Sequence, residues 1–170
     1  MTSLKDWILA FCEWCNGSFV GHAIRDSVWA FPFVEIFHLL ALAILGGSML
    51  VLNMRLVGIG FRTDSVSALA RELRPWIIGS ILVMLVSGFL LFSTEAVKMY
   101  GNWAFQAKMS FLVLSVLFTF TVHSRVTHRE DASAAVRWAT ALISLLLWTG
   151  VGLGGRALGY VTTAASSVTP

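Results

Sequence analysis

The sequence predicts an all-α fold: a four-helix transmembrane bundle preceded by an amphipathic helix on the outer face of the membrane. Three observations carry that prediction. Apolar residue types make up 57% of the 170 residues and charged types only 12%, about half the charged share of an ordinary soluble domain. Mean hydropathy is +0.80. Four segments also hold the roughly 20 apolar residues needed to cross about 30 Å of hydrocarbon. So few charges cannot clothe the surface of a soluble protein this small, which excludes an ordinary cytosolic enzyme, a disordered chain and a nucleic-acid module. The net charge of +3 then reflects loop Arg and Lys rather than affinity for nucleic acid.

The first thirty residues lack the basic start and continuous apolar run of a cleavable signal peptide. Leu4, Trp7, Ile8, Phe11, Cys12 and Cys15 instead repeat at helical spacing, with Lys5, Asp6 and Glu13 off that face. This predicts an interfacial helix over about 3–15, ended by Asn16-Gly17-Ser18, with Gly21 to Ser27 leading into the first span. The spans are expected at about 31–57, 75–93, 103–122 and 134–155, with Pro32 in the first turn, where its missing N–H costs nothing. Short connections make consecutive spans antiparallel neighbours and leave no room for a separate soluble domain, so residues 1–170 read as one integral-membrane domain. Arg55, Arg62, Arg71 and Arg74 in the first loop region and Arg125, Arg129 and Arg137 in the third are expected to stay cytoplasmic. Both termini then face outward, in a bacterial inner membrane the periplasm.

Several short runs carry a resemblance. Asn16-Gly17-Ser18, Gly21, Ala23-Ile24-Arg25, Ser27, Trp29, Phe31-Pro32, Glu35 and His38 resemble the opening of a four-helix bacterial membrane family of unknown function. Arg55-Leu56-Val57-Gly58, Phe105-Gln106-Ala107-Lys108 and Gly155-Arg156-Ala157-Leu158-Gly159-Tyr160 resemble its later motifs. The resemblance spans nearly the whole chain, supports the topology and implies no activity. In plan the chain is more distantly similar to the copper-resistance D membrane proteins and to small b-type cytochromes.

Ionisable side chains at membrane depth are costly unless they pair or face water, so each is a functional candidate. Glu35 and His38 stand at i and i+3 on the first span, Lys108 about five residues inside the third, and Arg156 at the end of the fourth. Together they predict a pocket in the outer leaflet, with a Glu35–Lys108 or Glu35–Arg156 pair and a hydrogen-bonded His38 as the plainer alternative. Lys108, Ser115, Thr119 and His123 form one stripe of the third span; Ser80, Ser87, Thr140, Ser144 and Asn53 mark the seams expected to face it. Gly46-Gly47 and Gly150, Gly152, Gly154 and Gly155 read as close-packing faces.

A redox cofactor is the leading expectation. His38 and His123 lie some 20 Å or more apart at about 1.5 Å per residue, so they cannot share one iron. Haem b with His38 as axial ligand, His22 folding back as the second, and Lys108 and Arg156 for the propionates is the first arrangement; His123 is a weaker second haem site. Copper is the alternative on the same histidines, although Met49, Met54 and Met84 form no ladder across the membrane. Cys12-Glu13-Trp14-Cys15 lacks the following His of a c-type haem site and reads as packing, a disulfide or an exchange site. The expected function is thus a membrane redox component that binds haem b, contacts quinone and passes electrons rather than acting as a stand-alone enzyme. The alternatives are an accessory subunit of a larger membrane complex or homo-oligomer, and a copper-handling protein.

Overall fold

The computed structural model describes residues 4–60, 65–129 and 131–166. Arg62, Glu130 and the first residue of the amphipathic segment, Ser3, lie outside them. The described residues form helices joined by short turns: α1 (Leu4–Asn16), α2 (Phe19–Asp26), α3 (Ala30–Leu56), α4 (Val66–Thr94), α5 (Ala96–Tyr100), α6 (Trp103–Phe118), a π-helical turn (Thr119–His123), α7 (Ser124–Thr127) and α8 (Ala134–Ser166). Four helices are long and apolar enough to cross a membrane: Ala30–Leu56, Val66–Thr94, Trp103–Thr127 and Ala134–Tyr160. Large apolar side chains such as Ile36, Val86, Leu117 and Leu146 are exposed on their outer surfaces, as lipid contact requires.

The amphipathic helix forms as expected, but its stripe divides. Cys12 and Cys15 are buried against Phe92, Ala96 and Tyr100, whereas Trp7 of the same stripe stays exposed, as does Trp14 off it, positions that suit the headgroup level. The segment read as a plain lead from Gly21 to Ser27 is instead a second short helix. Ser18 caps it by accepting from the Gly21 N–H at 3.1 Å. Gly21 is required there: a Cβ would lie 2.6 Å from the Ser93 carbonyl oxygen and 3.0 Å from that of Cys15. Gly21→Ala should therefore push α2 off α4 at a cost of about 1–3 kcal/mol, read as a lowered thermal midpoint in detergent. An unchanged midpoint would mean that α2 is not seated there.

The second span begins nine residues earlier than expected. Ser65 accepts from the Ala68 N–H at 3.1 Å and starts α4 at Val66, so Pro75 lies inside the helix. The extension holds because Leu69 and Ala70 are buried at helical spacing with Ile77 while Arg71, Glu72 and Arg74 point out. The last span likewise runs on past Gly155 as helix to Ser166.

Packing is asymmetric. α3 lies along α4, α6 lies along α8, and α3 meets α8, while α4 and α6 stand apart. Gly150 and Gly154 allow the α6–α8 approach, since added Cβ atoms would meet the Phe111 ring at 2.7 Å and Lys108 Cβ at 3.0 Å. Gly46, Gly47 and Gly152 have nothing within 4 Å of an added Cβ and do not serve the close-packing role expected of them. In the half of the bundle away from the termini, Asn53 donates from Nδ2 to Ser144 Oγ at 3.1 Å, and its Oδ1 accepts from His123 Nε2 at 2.9 Å. Trp148 Nε1 donates to Thr119 Oγ1 at 3.2 Å. Asn53, Thr119, His123 and Ser144 of the polar seams meet here, whereas Ser80, Ser87 and Ser115 donate to carbonyls of their own helices.

Candidate functional site

His38 projects from α3, eight residues after its start and so about 12 Å along the helix. Its neighbours on α4 are Ser87 and Gly88. Ser87 Oγ donates its single proton to the Val83 carbonyl and lies 2.9 Å from His38 Nδ1. A hydroxyl whose proton is committed can only accept, so the imidazole proton sits on Nδ1 and Nε2 carries the lone pair. Gly88 lets the ring lie flat on α4: a Cβ there would stand 3.2 Å from His38 Cε1. Nε2 has no hydrogen-bond partner among the described residues, and no buried polar side-chain atom is left unsatisfied. It is therefore open to a ligand rather than sealed in the core.

Lys108 approaches from α6. Gly154 lies against its Cβ, and Gly155 would carry a Cβ 3.6 Å from its Nζ. Two glycines of α8 thus seat the lysine stem, and the ammonium makes no ion pair among the described residues. His38 and Lys108 are close enough to interact electrostatically, and both line one cavity of about 710 Å³. This volume lies in the range of small-molecule and cofactor sites.

The cavity fills the gap that α4 and α6 leave between them. Met84 and Leu112 form apolar walls, Trp148 of α8 adds an aromatic side, and Ile8, Phe11 and Cys12 of α1 cover the end nearest the termini. There Phe92 and Phe105 stack across the gap with centroids 5.4 Å apart and planes 14° apart. Leu85, Phe89 and Met109 line it and are also exposed on the lipid-facing surface, so the cavity opens sideways toward the bilayer. It is an apolar chamber with an imidazole lone pair and an ammonium in its wall.

The other expected site residues lie elsewhere. Glu35 is exposed on α3 and forms no ion pair among the described residues, so the expected pairs with Lys108 or Arg156 are not made. One helical turn separates it from His38, but only His38 lines the cavity. Arg156 is exposed; its Nη2 donates to Tyr160 Oη at 3.1 Å and its guanidinium lies 5.2 Å from that ring. His22 is exposed on α2 and does not line the cavity, so the expected pairing with His38 is not assembled. His123 is buried and held through Nε2 by Asn53, in the opposite half of the bundle.

Ser87 was visible in the sequence only as a seam residue; its role as the acceptor that orients His38 depends on a contact across 49 positions. Gly88 and Cys12 carried no separate signal for the cavity. Over residues 11–161 the chain matches the model of a family of unknown function, DUF6644, and it belongs to that family. This agrees with the resemblance to a family of unknown function and adds no support to the more distant similarity to copper-resistance D proteins or b-type cytochromes. No curated protein and no solved structure matches the chain.

Proposed function

We propose that this protein is a membrane redox component that admits a lipid-soluble quinone, from the bilayer, into the cavity between α4 and α6. The observation that carries this reading is that His38 Nε2 and Lys108 Nζ both reach an apolar, laterally open chamber without protein partners. A quinone offers what they lack. Its carbonyl oxygen accepts from the ammonium, the hydroxyl of the reduced form donates to Nε2, and the isoprenoid tail leaves between Leu85 and Met109 into lipid. Lys108 favours negative charge developing on the oxygen during reduction, an interaction that a low-dielectric site strengthens. With the Arg-rich ends held on the cytoplasmic side, this chamber lies in the outer leaflet.

Haem b is the second reading, and the fixed tautomer of His38 favours it. An imidazole that binds metal through Nε2 has its Nδ1–H held by an outer-shell acceptor, and here the Ser87 hydroxyl takes that place. Lys108 would hold one propionate. The residues fit such a group in part, because one imidazole and not two lines the cavity. Copper has less to hold it: no three His, Cys, Asp or Glu side chains come together among the described residues.

One preparation tests these readings. Protein purified in mild detergent should be colourless before and after dithionite, should yield quinone on solvent extraction, and should bind added decylubiquinone. A reduced α-band lost in His38→Ala would replace the quinone reading with the haem reading. A colourless protein that binds no quinone would leave the accessory-subunit reading.

A further inference from the structure

The chain's two cysteines are both on α1, three residues apart, and both are free thiols. Cys12 lines the same cavity as His38 and Lys108, and Cys15 packs one turn further along the same helix face. We propose that Cys12 and Cys15 form a dithiol that reduces the quinone bound in this cavity, making the protein a thiol–quinone oxidoreductase on the outer side of the membrane. This inference rests on the quinone reading above and adds the electron donor to it.

The step balances within the site. The Cys12 thiol gives up its proton, for which His38 Nε2 is the open base on the cavity, and Sγ adds to a ring carbon next to one quinone carbonyl. A C–S bond forms, and the ring electrons move onto the other carbonyl oxygen, which becomes an anion facing Lys108. Cys15 then attacks Cys12 Sγ before that ring carbon rearomatises. The S–S bond forms, the C–S bond breaks, and its electron pair passes to the first carbonyl oxygen. Two protons complete the quinol. Two thiols and one quinone have become one disulfide and one quinol, with two electrons transferred.

The placement of the pair suits a donor. Burial pushes both thiols above the usual range, with Glu13 adding to the effect on Cys12 and Cys12 to that on Cys15. The last turn of a helix also disfavours an anion. A dithiol whose thiolates are not stabilised is easily oxidised, the reverse of strongly oxidising pairs, whose reduced form is held by its surroundings. Side chains at i and i+3 on a helix have Cβ atoms about 5–6 Å apart, and a disulfide needs about 3.5–4.5 Å. The last turn of α1 must therefore tighten on oxidation, and Gly17, exposed just beyond it, leaves the chain room to do so. Burial at 3% and 1% exposure also shields the thiols from water-soluble oxidants, so a reagent arriving through the lipid has the shorter route.

The test is a single anaerobic turnover of full-length reduced protein in detergent with decylubiquinone. Quinol is measured by absorbance, and remaining thiols by mass shift with a maleimide. We expect one quinol per chain and loss of both maleimide adducts, reversed by a phosphine reductant. Cys15→Ser should accumulate a quinone adduct on Cys12, whereas Cys12→Ser should carry none on Cys15. Binding of decylubiquinone with both thiols still alkylatable overturns this inference and leaves the quinone reading standing. Failure to bind decylubiquinone overturns both. The wild-type thiol count decides the matter even if either serine variant fails to fold.

Discussion

Replacing Asn53 with alanine is expected to destabilise the bundle by about 3 kcal/mol, more than the Gly21 change. Asn53 is 1% exposed and joins three helices: Nδ2 donates to Ser144 on α8, and Oδ1 accepts from His123 in the π-helical turn after α6. Truncation strands a buried N–H and removes the donor to a hydroxyl that is 0% exposed. Each stranded group costs about 1–3 kcal/mol in a protein interior. Interhelical hydrogen bonds within membranes average nearer 0.6 kcal/mol, because the unfolded helices find other partners in the bilayer. The higher range applies better here, since two partners are lost together and a void remains. Thermal unfolding in detergent measures the effect. His123→Ala in the Asn53→Ala background should then cost little more, because the two side chains act as a unit. Additive losses would mean that each is stabilised independently of their shared bond.

This network also marks what the sequence made legible. Asn53, Ser115, Thr119, His123, Thr140 and Ser144 are all buried, as their helical spacing on otherwise apolar spans predicts, because a polar group in lipid must turn inward to a partner. Span number and order were readable for the same reason. Helix starts were less so: α4 begins at Val66 because a serine hydroxyl caps it, a local bond that hydropathy does not register. The cavity depended on which helices stand apart, and that is decided by glycines. Gly150, Gly154 and Gly155 bring α8 onto α6, whereas Gly46 and Gly47 face outward, and nothing in the composition separates the two sets. Glu35 shows the same limit. At i and i+3 it shares a broad helix face with His38, but the narrower cavity admits only one of them. The expected coupling between Glu35 and Lys108 should consequently vanish.

The polar groups on the cavity wall lead to the second large effect. Lys108→Met is expected to weaken decylubiquinone binding about 10–100-fold, and His38→Leu to weaken binding of decylubiquinol, whose hydroxyl donates to Nε2, by up to about tenfold. Hydrogen bonds to charged groups contribute about 1.5–3 kcal/mol, and about 1.4 kcal/mol corresponds to tenfold in affinity. Methionine keeps the stem that packs on Gly154 and Gly155, so the loss reports the ammonium rather than the helix contact. Ser87→Ala provides a graded comparison. It leaves the imidazole in place but removes the hydroxyl acceptor at Nδ1, with the Met84 carbonyl as the remaining acceptor near the ring, so the second tautomer gains population. If half the molecules then present the Nε2 lone pair, apparent affinity for the quinol falls only about twofold. Fluorescence titration in detergent, with Trp148 of the cavity wall as reporter, measures Lys108→Met with the quinone and the other two variants with the quinol under anaerobic conditions. A Ser87→Ala loss as large as that of His38→Leu would mean that the serine holds the whole ring in place and not only its proton. Unchanged binding in Lys108→Met would remove the ammonium from the site. The apolar walls alone would then account for any affinity, and reduction of the quinone would have no cation to steady its oxygen.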